Sequence, residues 1–270
     1  MSNWLSLRRK PRVRAAARAA AVVIGANSTN QRDYERVFGR KVELLLETGL
    51  DAVGEPDRSR FQERVEAQAL ALAPRPLRLL WVGELQSRKA LPILLRALAA
   101  ADVPFELTVL GEGPARTRWT EEARNLELPK VRFLGKVPFA EVLAEFAAAE
   151  VFCFTSLRDT SGNVVLEALA AGVPVVCFDH QGARDMVDAS CGVKLPVSHP
   201  AQAVADWAGT LRQLAGDAER LLRLSQGATE RAKLFLWEKN GDQVNALYRQ
   251  LAEKTPDKQP ESKAREAISV

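Results

Sequence analysis

The stretch TSLRDTSGNVVLEALAAGVPVV (155–176) sets Asp159 and Glu167 eight positions apart in an otherwise apolar run. Between them, Thr-Ser-Gly-Asn suits a turn and a helix start. The first N–H groups of such a helix, with its dipole, suit a phosphate, and Gly162 lets the phosphate come close. Arg88 and Lys89 sit just beyond another strand-like run, and paired cations there suit a diphosphate. A carboxylate at Glu167, about one turn into its helix, would repel phosphate yet could accept from the two hydroxyls of a ribose. Asp159, on the loop before, could accept from a sugar hydroxyl. Together these types describe a nucleotide-sugar site. Plainer readings stand beside them. Asp159 suits an Asx-turn or helix cap. Glu167 suits a solvated helix face, although its flanks VVL and ALAAG make a lone charge costly.

The elements that would position these residues follow a regular pattern. Strand-like runs are LRLLWVG (77–83), FELTVLG (105–111), VRFLG (131–135), VFCFTS (151–156) and PVVCFD (174–179), with helical runs at 90–101, 115–126, 139–148 and 163–171. Continuous Val/Leu/Phe strands alternating with helices predict an α/β fold, a Rossmann-like doubly wound parallel sheet covered on both faces. Ligands of such sheets bind at the carboxyl ends of the strands. Gly83, Gly111, Ser156 and Asp179 end four of these strands, and polar loops follow each. Upstream, AAVVIGA (20–26) and VELLLE (42–47) read as buried strands, and a polar helix spans 56–73. Downstream, helices are predicted at 201–214, 218–235 and 238–252. The tail 253–270, charged with two prolines, reads as disordered. The domain division expected is therefore 1–73, a basic arm plus remnant of a second domain; 74–252, the sheet domain; and 253–270.

Whole-chain properties narrow the class. The chain has 270 residues, 47% of them hydrophobic, enough for a full α/β core. No apolar run reaches the length of a membrane span, and no secretory leader is visible. Cys153, Cys177 and Cys191 show no metal spacing and read as reduced thiols in a cytoplasmic core. Net charge is +4, but six cations (Arg8, Arg9, Lys10, Arg12, Arg14 and Arg18) fall within the first 18 residues, and no acid appears before Asp33; without those six the sum would be −2. Such an arm suits weak contact with an anionic membrane surface at the inner face; a solvated helix face is the simpler reading and the favoured one. Nucleic acid is not expected as a partner, because the body is near neutral and lacks interleaved aromatics.

The signature SLRDTSGNVVLEALAAGVPVV resembles the donor-site signature of the family-4 (group 1) glycosyltransferases of the GT-B fold, Ser…Glu-Gly-x-Gly…Glu-Ala-x-Ala-x-Gly-x-Pro-Val-Val. Other pieces fall in the family's order. LLWVGELQSRKALPILLRAL is similar to its Gly-Arg-Leu-x-x-x-Lys-Gly segment, and LTVLGEGP resembles its Gly-x-Gly turn. FLWEKNGDQVNALYRQL is similar to the closing Trp and Tyr helix. The likeness runs from about residue 20 to 251 and is specific as a set.

The resemblance implies a nucleoside diphosphate sugar as donor, no cofactor, transfer with retention at the anomeric carbon, and no obligatory metal. It makes Lys89, Arg88 and Asp159 the catalytic candidates. Lys89 would neutralise the diphosphate, and Asp159 would stand next to the sugar where the first Glu usually lies. Glu167 would bind the ribose, Ser161, Gly162 and Asn163 the diphosphate, with Gly83 and Gly111 lining the donor site. Three departures matter. Glu84 occupies the usual Arg position, so Arg88 supplies the missing charge; Ala90 replaces the usual Gly; Asp159 is a methylene shorter than Glu. The family has two Rossmann-like domains, and most of the acceptor half falls outside the likeness. The chain is thus expected to be a C-terminal donor half with a glycan, lipid or small-molecule acceptor. The rival expectation is a non-catalytic nucleotide-sugar-binding fragment, or one subunit of a split enzyme with a separate acceptor-domain chain. A dehydrogenase is disfavoured, since GEGP lacks the third glycine of a dinucleotide fingerprint.

Overall fold

A computed structural model describes residues 7–254. The N-terminal part holds helix α1 (Pro11–Ala19), strand β1 (Ile24–Gly25), helix α2 (Ser28–Phe38), strand β2 (Glu43–Leu44) and helix α3 (Ser59–Ala69). The sheet domain then runs β3 (Leu77–Val82), α4 (Leu91–Ala101), β4 (Phe105–Leu110), α5 (Arg116–Asn125), β5 (Val131–Gly135), α6 (Phe139–Ala148), β6 (Val151–Phe154), α7 (Asn163–Ala170), β7 (Val175–Phe178), α8 (Gln181–Met186) and β8 (Gly192–Leu195). Three helices close it: α9 (Pro200–Gly216), α10 (Ala218–Ala232) and α11 (Trp237–Lys254).

Six strands pair in parallel in the order β5-β4-β3-β6-β7-β8. Alternation along each strand sends side chains to two separate cores. Leu79, Trp81, Leu107, Val109, Cys153 and Phe178 meet α4, α5 and α9 on one face. Leu80, Leu110, Phe152, Phe154, Val175 and Cys177 meet α6, α7 and α10 on the other. This is the doubly wound α/β sheet that the strand runs predict. Its winding reverses between β3 and β6: β4 and β5 are laid down on one side of β3, β6 to β8 on the other. The crevice at the carboxyl ends of β3 and β6 is therefore the topological switch point, where open α/β sheets take their ligands.

The N-terminal part is pinned to this domain at both ends of the sheet. Glu150 is fully buried at the entry to β6. Its two oxygens accept from Arg64 Nε at 2.8 Å and Nη2 at 2.7 Å, and from the Arg78 backbone at 2.9 Å, which locks α3 beneath the sheet. At the opposite rim, Ser28 N donates to Asp185 Oδ2 at 2.7 Å, so a side chain of α8 receives the first turn of α2. The segment after β2 bridges Leu50 to Leu236, ahead of α11.

Several expectations need correction. The strand expected at 20–26 shrinks to Ile24–Gly25, and that at 42–47 to Glu43–Leu44; Ile24 and Leu44 are exposed. They pair with each other and do not join the main sheet. The basic arm carries the helix α1, with none of its residues buried, and Arg40 ties down its end by donating to the carbonyls of Ala17 and Ala21. Helices α2 and α8 and edge strand β8 come in addition to the elements read from sequence. Residues 253 and 254, expected in the tail, are helical, since α11 runs to Lys254; the rest of that expectation, 255–270, lies outside the described residues. All three cysteines are free and buried, and burial raises each thiol pKa, that of Cys191 to about 11. Among the described residues no helix is long and apolar enough to cross a membrane.

Candidate functional site

The switch point gathers two loops. After β3, Gly83 leads into a 3₁₀ turn, Ser87–Lys89, that opens α4. After β6, the chain passes Thr155 and Ser156, turns through 157–162, and starts α7 at Asn163. A core tryptophan fixes the two loops together. Buried Trp81 donates its indole N–H to Thr155 Oγ1 at 3.0 Å, and Thr155 donates in turn to the Lys89 carbonyl at 2.6 Å. Leu157 N donates to Arg88 O at 2.8 Å.

Arg88, Lys89 and Asp159 meet here. The Lys89 ammonium contacts Asp159 Oδ2 directly, and Arg88 Nη1 stands 3.7 Å from the same oxygen. Arg88 Nη1 also donates to Arg158 O at 2.8 Å. The Lys89 Nζ lies 5.5 Å from the Phe154 ring centroid, and only 11% of its side chain is exposed. Asp159 N donates to Gln181 Oε1, and Gly182 N to Asp159 O at 3.4 Å. A Cβ on Gly182 would lie 2.5 Å from Thr160 O, so α8 can abut the loop only with glycine there. Gln181 is held in the left-handed region at φ 48° to make this junction.

Gly162 adopts φ 63° as N-cap of α7 and is buried against Phe154. No acceptor for the backbone N–H groups of Ser161, Gly162 or Asn163 is found among the described residues. They form the positive end of α7 and are available to an anion. Glu167 follows one turn on. It is half-buried, and burial raises its pKa above the ordinary glutamate range. No ion pair or hydrogen bond to its carboxylate is found among the described residues.

Gly111 has a structural explanation of its own. Gly111 sits at φ 122°, and a Cβ there would lie 2.0 Å from Gly83 O. The close approach of the two strand-end loops accounts for Gly111 without a ligand, whereas a Cβ on Gly83 would meet the Trp81 ring at 3.3 Å. Ala90 also stands in the left-handed region, φ 50°, and bears the strain of a Cβ there. His180 is half-buried at the start of α8, where burial and Arg184 lower its pKa. His199 caps α9 instead, accepting from Ala201 N at 3.4 Å. Among the described residues, no group of three or more His, Cys, Asp or Glu is placed to hold a metal ion.

Two residues at this rim stand outside the sequence-based set. Gln181 supports the Asp159 backbone. Buried Asn27 caps α2, accepting from Asn30 N at 2.8 Å, and its amide donates to Thr160 O at 2.9 Å. Asn-Ser-Thr-Asn ahead of a helical run was a legible cap signal for the first of these contacts. Nothing local signals the second.

The arrangement is a cationic pair, a row of open N–H groups and an unpartnered carboxylate on one rim. A family model described as "Glycosyl transferases group 1" matches residues 76–217, which contain all of these groups. The chain belongs to the group 1 glycosyl transferases. A curated relative, the D-inositol 3-phosphate glycosyltransferase of Corynebacterium kroppenstedtii, is 31% identical over 212 residues, covering 74% of this chain and 45% of that protein. The chain thus spans about half the length of the curated relatives it matches. Among solved structures, sucrose-phosphate synthase of Thermosynechococcus elongatus superposes with a TM-score of 0.71 at 25% identity, covering 90% of this chain and 61% of that one. Anabaena Alr3699/HepE, solved in complex with UDP, gives a TM-score of 0.72 at 20% identity, covering 92% and 68%, and supports the fold. The signature, Ser156 to Val176, falls on the β6 loop, α7 and β7.

Proposed function

We propose that this glycosyltransferase chain supplies the donor side of a sugar-transfer site, binding a nucleoside diphosphate sugar at the β3–β6 switch point and passing the sugar to an acceptor hydroxyl. The observation that carries this reading is Glu167: a half-buried carboxylate without a partner among the described residues, one turn inside a helix whose first N–H groups are open among them. A carboxylate kept desolvated needs a donor, and the hydroxyls of a ribose provide two. The N–H groups of Ser161, Gly162 and Asn163 take the diphosphate. Lys89 and Arg88 offset the charge that develops on the leaving diphosphate, which is the main electrostatic contribution to the reaction. Asp159 accepts from a hydroxyl of the transferred sugar. Family membership supports retention at the anomeric carbon and chemistry without an obligatory metal.

The acceptor is a glycan, lipid or small molecule presented from outside residues 74–252, which form the donor unit. The exposed cations of α1 and its flank support peripheral contact with an anionic membrane surface. A second reading is a nucleotide-sugar-binding subunit that transfers only with a separate acceptor-domain chain; a structural neighbour solved as the GtfA/B complex, with a TM-score of 0.72 at 16% identity, supports it. Calorimetric titration with UDP, GDP and ADP tests the donor site. Binding of one nucleotide, weakened at least about tenfold by Glu167→Ala, is expected; no binding by the folded chain to any of the three contradicts the donor site. Turnover of the bound donor by the chain alone then separates enzyme from subunit.

A further inference from the structure

We propose that Asp159 is a built-in competitor for the diphosphate, so that the site favours a sugar-bearing donor over the bare nucleoside diphosphate. The inference rests on the donor-site reading above and adds a selectivity to it. Without ligand, Asp159 Oδ2 contacts the Lys89 ammonium and stands 3.7 Å from Arg88 Nη1. These are the cations placed to meet a diphosphate. The pair is not a contact between two loose surface side chains. Lys89 is buried along its stem and confined over Phe154. The Asp159 backbone is held by Gln181 on one side and by Gly182 on the other, and Arg88 is fastened to Arg158 O. Backbone anchoring presets the ion pair, so little side-chain entropy opposes it.

An incoming diphosphate must take Lys89 from Asp159 and then sit near a displaced carboxylate. A bare nucleoside diphosphate offers that carboxylate nothing, because its terminal phosphate oxygens are acceptors. A sugar on the terminal phosphate brings hydroxyl donors that Asp159 can accept from. Displacement is therefore compensated for the donor and uncompensated for the product. Once the sugar has left, re-formation of the Lys89–Asp159 pair favours release of the nucleoside diphosphate. Only the difference in affinity between the two ligands sets this preference.

The test is a double-mutant cycle by calorimetry on the full chain, with Asp159→Asn, Lys89→Met and the double variant. The probes are UDP, GDP and ADP, each beside UDP-glucose, GDP-mannose and ADP-glucose. Asp159→Asn is expected to bind the preferred nucleoside diphosphate about tenfold tighter while losing preference for the sugar-bearing form. In the Lys89→Met background the same substitution should gain about threefold or less, since no pair remains to break. Unchanged or weaker binding in Asp159→Asn overturns the proposal. So does an equal gain in both backgrounds, which would make Asp159 a bystander charge. A folded wild-type chain that binds none of the six probes overturns the donor-site reading itself, and the competitor with it.

Discussion

At the scale of single residues, Glu167 carries a cost in stability that its proposed role in binding the ribose would explain. Its raised pKa means that the folded chain holds the proton more tightly than the unfolded chain does. Its contribution is therefore most favourable at low pH and is lost as pH rises through the folded-state value. Glu167→Gln is expected to raise the melting temperature of the ligand-free chain at pH 7, with the gain fading as pH falls below the ordinary glutamate range. Melting curves at a series of pH values check this; a gain that grows toward acid would show the opposite shift. The same variant should bind nucleotide more weakly, because an amide cannot replace a carboxylate that accepts twice. Glu167 was legible in the sequence because a charge between VVL and ALAAG breaks an apolar pattern. Gln181 was not, since its role depends on where α8 lies in space.

At the scale of elements, the core and the site are joined through Thr155. The hydroxyl takes the Trp81 indole proton and gives its own to the Lys89 carbonyl. Thr155→Val keeps the volume and strands both partners, at a cost of about 2–3 kcal/mol. A denaturant midpoint measures the loss, and nucleotide titration should show weaker binding because the Lys89 turn is no longer held. An unchanged midpoint would mean that the hydroxyl bridges nothing. The central strands were legible because Val, Leu and Phe run without interruption where both faces are covered. Strand β8 (GVKL) escaped because it is short, lies at the edge and carries a lysine. Helix α8 has six residues, too few to show a period, and α2 buries only Asn30, Val37 and Phe38. Strand order was not legible at all, and it is strand order that brings the loops of β3 and β6 together.

At the scale of the whole molecule, the N-terminal part is fastened to the donor unit by buried charge at one rim and by polar contacts at the other. Glu150 holds Arg64 with no exposure of its own carboxylate. Glu150→Gln leaves the guanidinium buried without a counter-charge and is expected to cost about 3–5 kcal/mol, read as a lower urea midpoint. A loss below about 1 kcal/mol would mean that α3 is held by apolar packing alone. The near-neutral body and basic arm were legible from charge order, whereas the fastening of that part to the sheet was not, because its partners are some 86 residues apart. On the proposed donor site, one rim, at the switch point, receives a nucleoside diphosphate. The most direct measurement is a crystal structure of the chain with the nucleoside diphosphate that titration selects. The diphosphate is expected on Lys89 and the N–H groups of Ser161, Gly162 and Asn163, with both ribose hydroxyls on Glu167. A nucleotide seated elsewhere, with Glu167 still unpartnered, would contradict it.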